Sequence, residues 1–294
     1  MKVKAWVEAM RLRTLPVSVA GVISGIACGI GNGVFRLLPA LICLLFAVTA
    51  QIVSNFANEY YDFKNGFDKK GREGFRRGVT EGDLTPEAMK RATFGLLAFD
   101  CLLGLSLIIW GGWWLIAVGV AVALFAIGYS AGPYPLSHHG LGDVAVVIFF
   151  GIVPVMLTSY LTSGTWENLP ISFGIGLAIG LLAANVLIVN NYRDMEDDAE
   201  VGKHTTVVLF GRRAMHAVYL FDATAALTVI SISLLETGAS FLWLTGWGLI
   251  EIFYIFVWIS MGKLKGKSLN NILKKTAMAV LMTSIVILVA MATK

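Results

Sequence analysis

The sequence has little charge and almost no cysteine. Only 14% of its 294 residues are charged, against 57% that are hydrophobic, which excludes an ordinary soluble domain. The three cysteines, Cys28, Cys43 and Cys101, fall inside apolar runs without metal-ligand spacing, and we interpret them as buried apolar thiols. No cleavable signal pattern is evident, and the basic residues 1–13 are typical of an interfacial helix. The composition therefore predicts an all-α, polytopic membrane protein.

Nine apolar segments are long enough to cross about 30 Å of hydrocarbon. They cover residues 15–31, 37–58, 92–110, 113–130, 143–162, 171–190, 214–235, 240–261 and 275–292. With a cytoplasmic N-terminus, 21 of the 23 Lys and Arg residues fall on the cytoplasmic side, and only Arg36 and Lys294 lie outside. This asymmetry predicts nine spans, and it accounts for the net charge of +4 without a nucleic-acid partner.

A motif of polar residues occurs twice. Asn-x-Tyr-x-Asp stands at residues 58–62 and again at 190–194, each time where an apolar span ends, and a basic pair opens the span that follows. Both motifs end spans on the cytoplasmic side, so we expect parallel repeats related by an axis along the membrane normal. The single domain, 1–294, would contain repeat halves of about 14–130 and 143–261, with a ninth span at 275–292.

The motifs offer oxygen ligands at the rim of the membrane, where unpaired carboxylates are costly. The predicted metal ligands are Asn58, Asp62, Asp68, Asn190, Asp194 and Asp198. In the second motif the spacing i, i+4, i+8 places three of them on one face of a helix. In the first, Gly66 lets the chain turn so that Asp68 folds back. Hard oxygen donors with no His or Cys beside them favour Mg²⁺ over zinc or copper.

Basic residues follow both motifs. They are Lys64, Arg72, Arg76 and Arg77 after the first, and Arg193, Lys203, His204, Arg212 and Arg213 in or after the second. A diphosphate needs cations on its outer oxygens and a metal ion on the bridging ones. The two clusters together predict one Mg²⁺–diphosphate site on the cytoplasmic rim.

The motifs resemble those of the intramembrane aromatic prenyltransferases, the UbiA superfamily. The resemblance is closer to the 1,4-dihydroxy-2-naphthoate polyprenyltransferases of menaquinone synthesis. It is carried by Asn58, Asp62 and Asp68; by Asn190, Asn191, Arg193, Asp194 and Asp198 with Gly202 and Lys203 following; and by a third block at Tyr129–Pro133 and Gly140–Asp143. Glu59 stands where many members have Asp. His138 and His139 occupy an interval that often carries Lys or Arg.

The resemblance implies a role for each matching residue. Catalytic residues would be Asp62, Asp68, Asp194, Asp198 and Lys203. Contacts to the substrates would come from Asn58, Lys64, Arg72, Arg77, Asn190, Arg193, Tyr129, Tyr134, His138, His139 and Asp143. The implied reaction is Mg²⁺-dependent transfer from a polyprenyl diphosphate to 1,4-dihydroxy-2-naphthoate, giving demethylmenaquinol, CO₂ and diphosphate. The enzyme would lie among the lipids of the inner cell membrane, with its site facing the cytoplasm.

Two alternatives remain open at this point. The acceptor could be another aromatic compound such as 4-hydroxybenzoate, since only the third block bears on its identity. A secondary transporter also uses parallel repeats and intramembrane acids. Transporters place their coupling acids near the midplane, whereas here both clusters lie at one rim beside basic loops.

Overall fold

The computed structural model describes residues 2–30, 35–71, 73–239 and 242–294, and over these ranges the chain consists of helices and turns without a β-strand. The α-helices are α1 Lys2–Met10, α2 Leu15–Ile30, α3 Leu37–Lys64, α4 Pro86–Ser106, α5 Ile108–Gly111, α6 Leu115–Gly128, α7 Gly142–Val146, α8 Val153–Ser163, α9 Leu169–Glu200, α10 Thr206–Glu236, α11 Leu242–Lys263 and α12 Leu269–Ala292. A π-helical turn, Val147–Ile152, joins α7 to α8. The predicted all-α class is confirmed. The prediction of buried thiols is confirmed for Cys28 and Cys43 and is wrong for Cys101, which is exposed.

Six helical segments among the described residues are long and apolar enough to cross a membrane. They are Leu37–Lys64, Pro86–Gly111, Gly142–Ser163, Leu169–Glu200, Thr206–Glu236 and Gly266–Ala292. The pair α1 and α2 passes the same test together, with a bend of 48°, which gives up to seven. At 14 residues, α6 is shorter than the roughly 20 that a straight span needs. A multi-pass protein is confirmed, while the number nine stays a prediction.

Helix α9 lies at the centre of the bundle. Of its apolar window, 67% is buried, and it packs against α10, α12, α2 and the π-helical turn. Small residues permit this approach: a Cβ added at Gly176 would lie 3.0 Å from Ile152 Cα, and one at Gly180 would lie 2.9 Å from Val147 Cα. In a lipid bilayer the hydrophobic effect does not drive helices together, so close backbone packing of this kind stabilises their association. The central position of α9 fixes where the second motif lies.

Helix α2, near the start of the chain, packs against helices from later parts of the sequence. Gly21, Gly25 and Gly29 recur every fourth residue along one face, against α8, and a Cβ added at Gly25 would lie 2.7 Å from the carbonyl oxygen of Val155. Helix α2 also packs against α12. This spacing of small residues is a known signature of tight helix pairs in membranes. The bundle is thus closed by contacts between distant parts of the sequence.

Candidate active site

The two motif helices end with the same backbone cap. In α3, Gly66 has φ +76° and the Phe67 N–H donates to the Asp62 carbonyl at 2.8 Å. In α9, Gly202 also has φ +76° and the Lys203 N–H donates to the Asp198 carbonyl at 2.8 Å. Glycine permits the left-handed conformation that this Schellman cap needs. Each cap reverses the chain so that the residues after it return toward the last helical turn.

The motifs lie at different distances from these caps. Asp62 stands four residues before Gly66, whereas Asp194 stands eight residues before Gly202, so α9 continues one turn further past its motif. The sixth apolar span was predicted to end at residue 190, and the i, i+4, i+8 spacing predicted that the helix continues through the second motif, as α9 does by extending to Glu200. The acids that follow also differ in surroundings. Glu200 makes an exposed pair with Lys69 at 2.5 Å, while Asp68 is buried.

Asp62 of the first motif contacts three other side chains, and its carboxylate is fully buried. The Lys203 ammonium donates to Oδ2 at 2.7 Å, and His138 Nε2 lies 3.2 Å from Oδ1. The Asn58 amide donates to Oδ2 at 3.0 Å from the preceding helical turn. A buried carboxylate is stable only with such partners. Lys203 comes from the segment after α9, so this ion pair joins the two motifs directly.

Asn58 is held by residues from three other segments. Its Oδ1 accepts a hydrogen bond from Arg77 at 2.8 Å and another from Arg11, at the end of α1. Its amide also donates to Ser130 Oγ at 2.9 Å. Arg77 lies 3.4 Å from Asp68 through its Nε. Two guanidinium groups are therefore fixed beside the first motif.

The second motif is organised by Arg193. Its guanidinium donates to both carboxylate oxygens of Asp194 at 2.7 Å, to Asn190 Oδ1 at 2.8 Å and to Asn270 Oδ1 at 2.7 Å. It also lies over the ring of Phe75, 4.9 Å from the centroid. A bidentate arginine–carboxylate pair fixes both groups in orientation. The second motif is therefore pre-organised by its own cation.

Both motifs line one cavity of about 160 Å³. Its charged lining consists of Arg11, Asp62, Arg77, Arg193, Asp194, Asp198 and Lys203, four cations and three carboxylates. Asn58, Asn190 and Tyr129 also line this cavity. The ends of α3 and α9 thus meet at one face of the bundle, as a single site built from two halves requires.

The sequence profile of the UbiA prenyltransferase family matches residues 18–290. The chain belongs to this family. It is therefore a prenyltransferase, and the shared charged cavity at its two motifs is the candidate active site of a family member.

Curated members of the UbiA family cover most of the chain. The 1,4-dihydroxy-2-naphthoate octaprenyltransferase of Escherichia coli (strain K12) is 37% identical over 257 residues, which is 84% of this chain and 80% of the relative. The protein of the same name from Haemophilus influenzae is 31% identical over 300 residues, covering 97% and 94%.

Solved UbiA homologues share the fold. One from Archaeoglobus fulgidus, bound to GPP and Mg²⁺, superposes with a TM-score of 0.66 at 18% identity and covers 97% of this chain and 100% of its own. The apo structure of a homologue from Aeropyrum pernix K1 gives a TM-score of 0.69 at 15% identity, with 92% and 94% covered. At these identities the likeness establishes the fold.

Some residues predicted for the UbiA-type site lie away from the cavity. Lys64 is exposed at the last turn of α3, and Tyr134 is exposed and stacks on His139, with centroids 3.6 Å apart. The two adjacent histidines therefore make different contacts. Of the pair, only His138 reaches Asp62, whereas His139 stacks on Tyr134. Asp143 accepts a hydrogen bond from Thr206 at 2.6 Å and ties α7 to the start of α10. Arg72 lies outside the described residues.

Asp68 and Arg76, two charged residues near the first motif, are not part of the cavity lining. Asp68, which was predicted as a metal ligand, does not line the cavity, and its Oδ2 lies 3.4 Å from Nε of Arg77. Arg76 pairs with Asp83, Nε to Oδ2 at 3.1 Å, and this hydrogen bond raises the pKa of the guanidinium above its ordinary value. Arg76 is half exposed. Of the neighbouring arginines, Arg77 is the one turned into the cavity.

Sequence reasoning missed several residues of the site. Arg11 was interpreted as part of an interfacial helix, and its contact with Asn58 depends on the packing of α1 against α3. Phe75 lies between two cations, Arg193 and Arg13, whose guanidinium carbon is 5.3 Å from the ring centroid. Asn270 comes from the start of α12. No local pattern marks Phe75 or Asn270, because their partners lie far away in the sequence.

Glu59, the departure from the usual Asp, holds the loop that carries Arg77. Its side chain is buried, and Oε1 accepts the backbone N–H of Val79 at 3.0 Å. We expect Glu59→Leu to lower the free energy of unfolding by about 1–3 kcal/mol, because the buried N–H loses its acceptor. Glu59→Gln keeps an acceptor oxygen and should retain most of the stability. Unfolding of detergent-solubilised protein with increasing SDS measures both; equal stability of Glu59→Leu and wild type would contradict this role.

Proposed function

We propose that this chain transfers a polyprenyl group from a polyprenyl diphosphate to 1,4-dihydroxy-2-naphthoate, giving demethylmenaquinol with loss of CO₂ and diphosphate. The observation that carries the proposal is the cavity in which two motif helices bring three carboxylates and four cations together. A diphosphate needs such a mixture of cations and metal-binding oxygens. The acceptor is supported by relatives named 1,4-dihydroxy-2-naphthoate octaprenyltransferase over most of the chain.

The donor set fits Mg²⁺. The cavity offers carboxylate and amide oxygens from Asn58, Asp62, Asn190, Asp194 and Asp198. Within the described ranges, no three His, Cys, Asp or Glu side chains are already grouped to hold a metal. Protein sites commonly bind Mg²⁺ through one or two carboxylates plus substrate phosphates. When bound, Mg²⁺ would neutralise negative charge on the diphosphate.

The basic side chains would hold the leaving group. Lys203 is held by Asp62, and Arg77 is held by Asn58. Both cations are therefore already positioned at the cavity before substrate binds. Pre-organised donors of this kind stabilise the charge that develops as the C1–oxygen bond of the donor breaks. The ring carbon of the acceptor forms the new bond to C1, and the ring carboxylate leaves as CO₂.

Aromatic side chains would protect the electron-deficient allylic carbon. Tyr129, Phe125 and Phe150 line the cavity. Aromatic faces attract cations, and they exclude the water that would otherwise capture the allylic group.

We also propose that the chain crosses the inner membrane nine times as two parallel repeats plus one span, with this cavity facing the cytoplasm. The distribution of Lys and Arg supports the orientation, and the meeting of the α3 and α9 ends at one cavity supports parallel halves.

The assay that tests the function offers membranes containing the chain either 1,4-dihydroxy-2-naphthoate or 4-hydroxybenzoate, with octaprenyl diphosphate and Mg²⁺. We expect a prenylated naphthalenediol product by mass spectrometry and its loss on addition of EDTA, since the diphosphate would lack its counter-ion. Excess Mg²⁺ should restore turnover. A product from 4-hydroxybenzoate alone would contradict the acceptor, and turnover that survives EDTA would contradict the metal.

A further inference from the structure

The π-helical turn between α7 and α8 lies beside the candidate active site. It covers Val147–Ile152, and the N–H of Val153 donates to the carbonyl of Ile148, five positions earlier. An α-helical N–H bonds to the fourth position, so this turn contains one residue more than an α-helical turn. The extra residue rotates the side chains of α7 by about 100° relative to those of α8, compared with an uninterrupted α-helix. Single π-helical turns of this kind occur frequently at functional sites.

A proline and two glycines hold this turn in place. Pro154, in the first turn of α8, has no N–H, so it donates no α-helical hydrogen bond to the carbonyl of Phe150. That carbonyl faces α2 instead, where a Cβ added at Gly21 would lie 2.6 Å from its oxygen. Gly151 packs against α9, and its added Cβ would lie 2.3 Å from the carbonyl oxygen of Gly176. The backbone of the turn is thus in direct contact with both α2 and α9.

Phe150, in the middle of the turn, belongs to the linings of two cavities. It lines the charged cavity at the motifs, and it also lines an apolar cavity of about 120 Å³. The neighbouring Phe149 lines the apolar cavity but not the charged one, and its ring stacks on Phe125 with the centroids 4.1 Å apart. In a prenyl diphosphate, the allylic carbons follow the diphosphate directly. With the phosphates among the charged residues, those carbons would lie at the boundary that Phe150 occupies.

The allylic carbon C1 has two possible partners when its bond to the diphosphate oxygen breaks. In transfer, a ring carbon of the acceptor bonds to C1, and the ring carboxylate leaves as CO₂. In hydrolysis, the oxygen of a water molecule bonds to C1 and a proton is released, which gives a free polyprenol and diphosphate. An aromatic side chain beside C1 attracts the developing positive charge and occupies the space that water would need.

We propose that the π-helical turn is a positioning element of the active site, which directs Phe150 against the allylic carbon of the donor and so keeps water from C1. The inference rests on the proposed prenyl transfer and deepens it, because it names the residue that decides between acceptor and water. In this assignment Phe150 touches the donor. Gly151 and Pro154 are positioning residues that act through Phe150.

The first experiment compares Phe150→Leu with Phe149→Leu, which replace neighbouring rings of the same turn. Each variant receives octaprenyl diphosphate, 1,4-dihydroxy-2-naphthoate and Mg²⁺, and mass spectrometry measures free octaprenol and prenylated product. We expect Phe150→Leu to raise the ratio of octaprenol to prenylated product by about tenfold, the scale of one cation–π contact. Phe149→Leu should stay within about twofold of the wild-type ratio, because this residue does not line the charged cavity. Phe150→Tyr keeps the aromatic face and should also keep the wild-type ratio.

The second experiment tests the turn. In Gly151→Ala the added methyl group would meet the carbonyl of Gly176 and push the turn away from α9, so we expect the same ratio to rise by about threefold or more. Gly29→Ala is the matched control, since its added Cβ would also be crowded but at the far end of α8. It should lower stability and leave the ratio unchanged. If Gly151→Ala does not fold, Pro154→Ala takes its place, because it supplies an N–H that can bond to the Phe150 carbonyl and favours an α-helical turn.

The outcomes separate the ring, the turn and the reaction. An unchanged ratio in Phe150→Leu, even with slower transfer, would overturn the role of Phe150, and so would an equal rise in Phe149→Leu. A raised ratio in Phe150→Leu together with a wild-type ratio in the folded turn variant would overturn the role of the turn. Wild-type protein that forms no prenylated product would instead refute the proposed function.

Discussion

Asp62→Asn is expected to lower prenyl transfer by about 10²–10³-fold, the scale seen when a pre-organised electrostatic group is lost from an active site. The buried carboxylate receives Lys203, His138 and Asn58, and an amide in its place can neither carry the charge nor accept from all three. The measurement is kcat with octaprenyl diphosphate, 1,4-dihydroxy-2-naphthoate and saturating Mg²⁺.

This substitution should also reduce stability, because the largely buried Lys203 ammonium loses its counter-ion. Asp62→Asn combined with Lys203→Met removes both charges, and we expect it to recover much of the lost thermal stability while remaining inactive. Recovery of stability without activity separates the two effects. Asp83→Asn, which changes a carboxylate paired with Arg76 outside the cavity, should retain activity within about twofold. Turnover by Asp62→Asn near the wild-type rate would remove Asp62 from the catalytic machinery.

The features that the sequence predicted best are contacts and turns formed by residues close together in the chain. Asn58 and Asp62 are one helical turn apart, and helical periodicity alone predicts the amide–carboxylate contact that the structure contains. Gly66 likewise predicts the turn, because few other residues adopt a φ of +76° without strain. The membrane class followed from composition, since a chain with so few charges has no other stable environment.

The sequence did not predict contacts between side chains that are far apart in the chain and meet across the bundle. The pairing of Lys203 with Asp62 spans 141 positions, and nothing in the local sequence of either residue specifies the other. The two histidines of the third block are equivalent as sequence, yet one reaches Asp62 and the other stacks on Tyr134. Hydropathy marks only the apolar part of a helix: the sixth apolar span ends at residue 190, whereas backbone hydrogen bonding continues α9 to Glu200.

Asp194→Asn is expected to reduce kcat as strongly as Asp62→Asn, about 10²–10³-fold, but with a smaller loss of stability. Arg193 loses this counter-ion but keeps Asn190, Asn270 and the ring of Phe75 as partners when the Asp194 carboxylate becomes an amide, so most of its N–H donors stay satisfied. Parallel measurements of kcat and thermal unfolding on the two variants check this contrast. Glu196→Gln is the control on the same helix: its carboxylate is exposed and pairs with Arg212, and its activity should stay within about twofold of wild type.

The combination of both substitutions distinguishes one site from two. If Asp62 and Asp194 act together on a single diphosphate, loss of either already removes most of the rate, and Asp62→Asn with Asp194→Asn should be little slower than each single variant. Groups that act as a unit show this strong non-additivity, whereas independent sites give losses that multiply. A double variant slower by the product of the two factors would contradict a shared site. Non-additivity is the expected result, because the Lys203–Asp62 ion pair already brings a residue that follows α9 into contact with the end of α3.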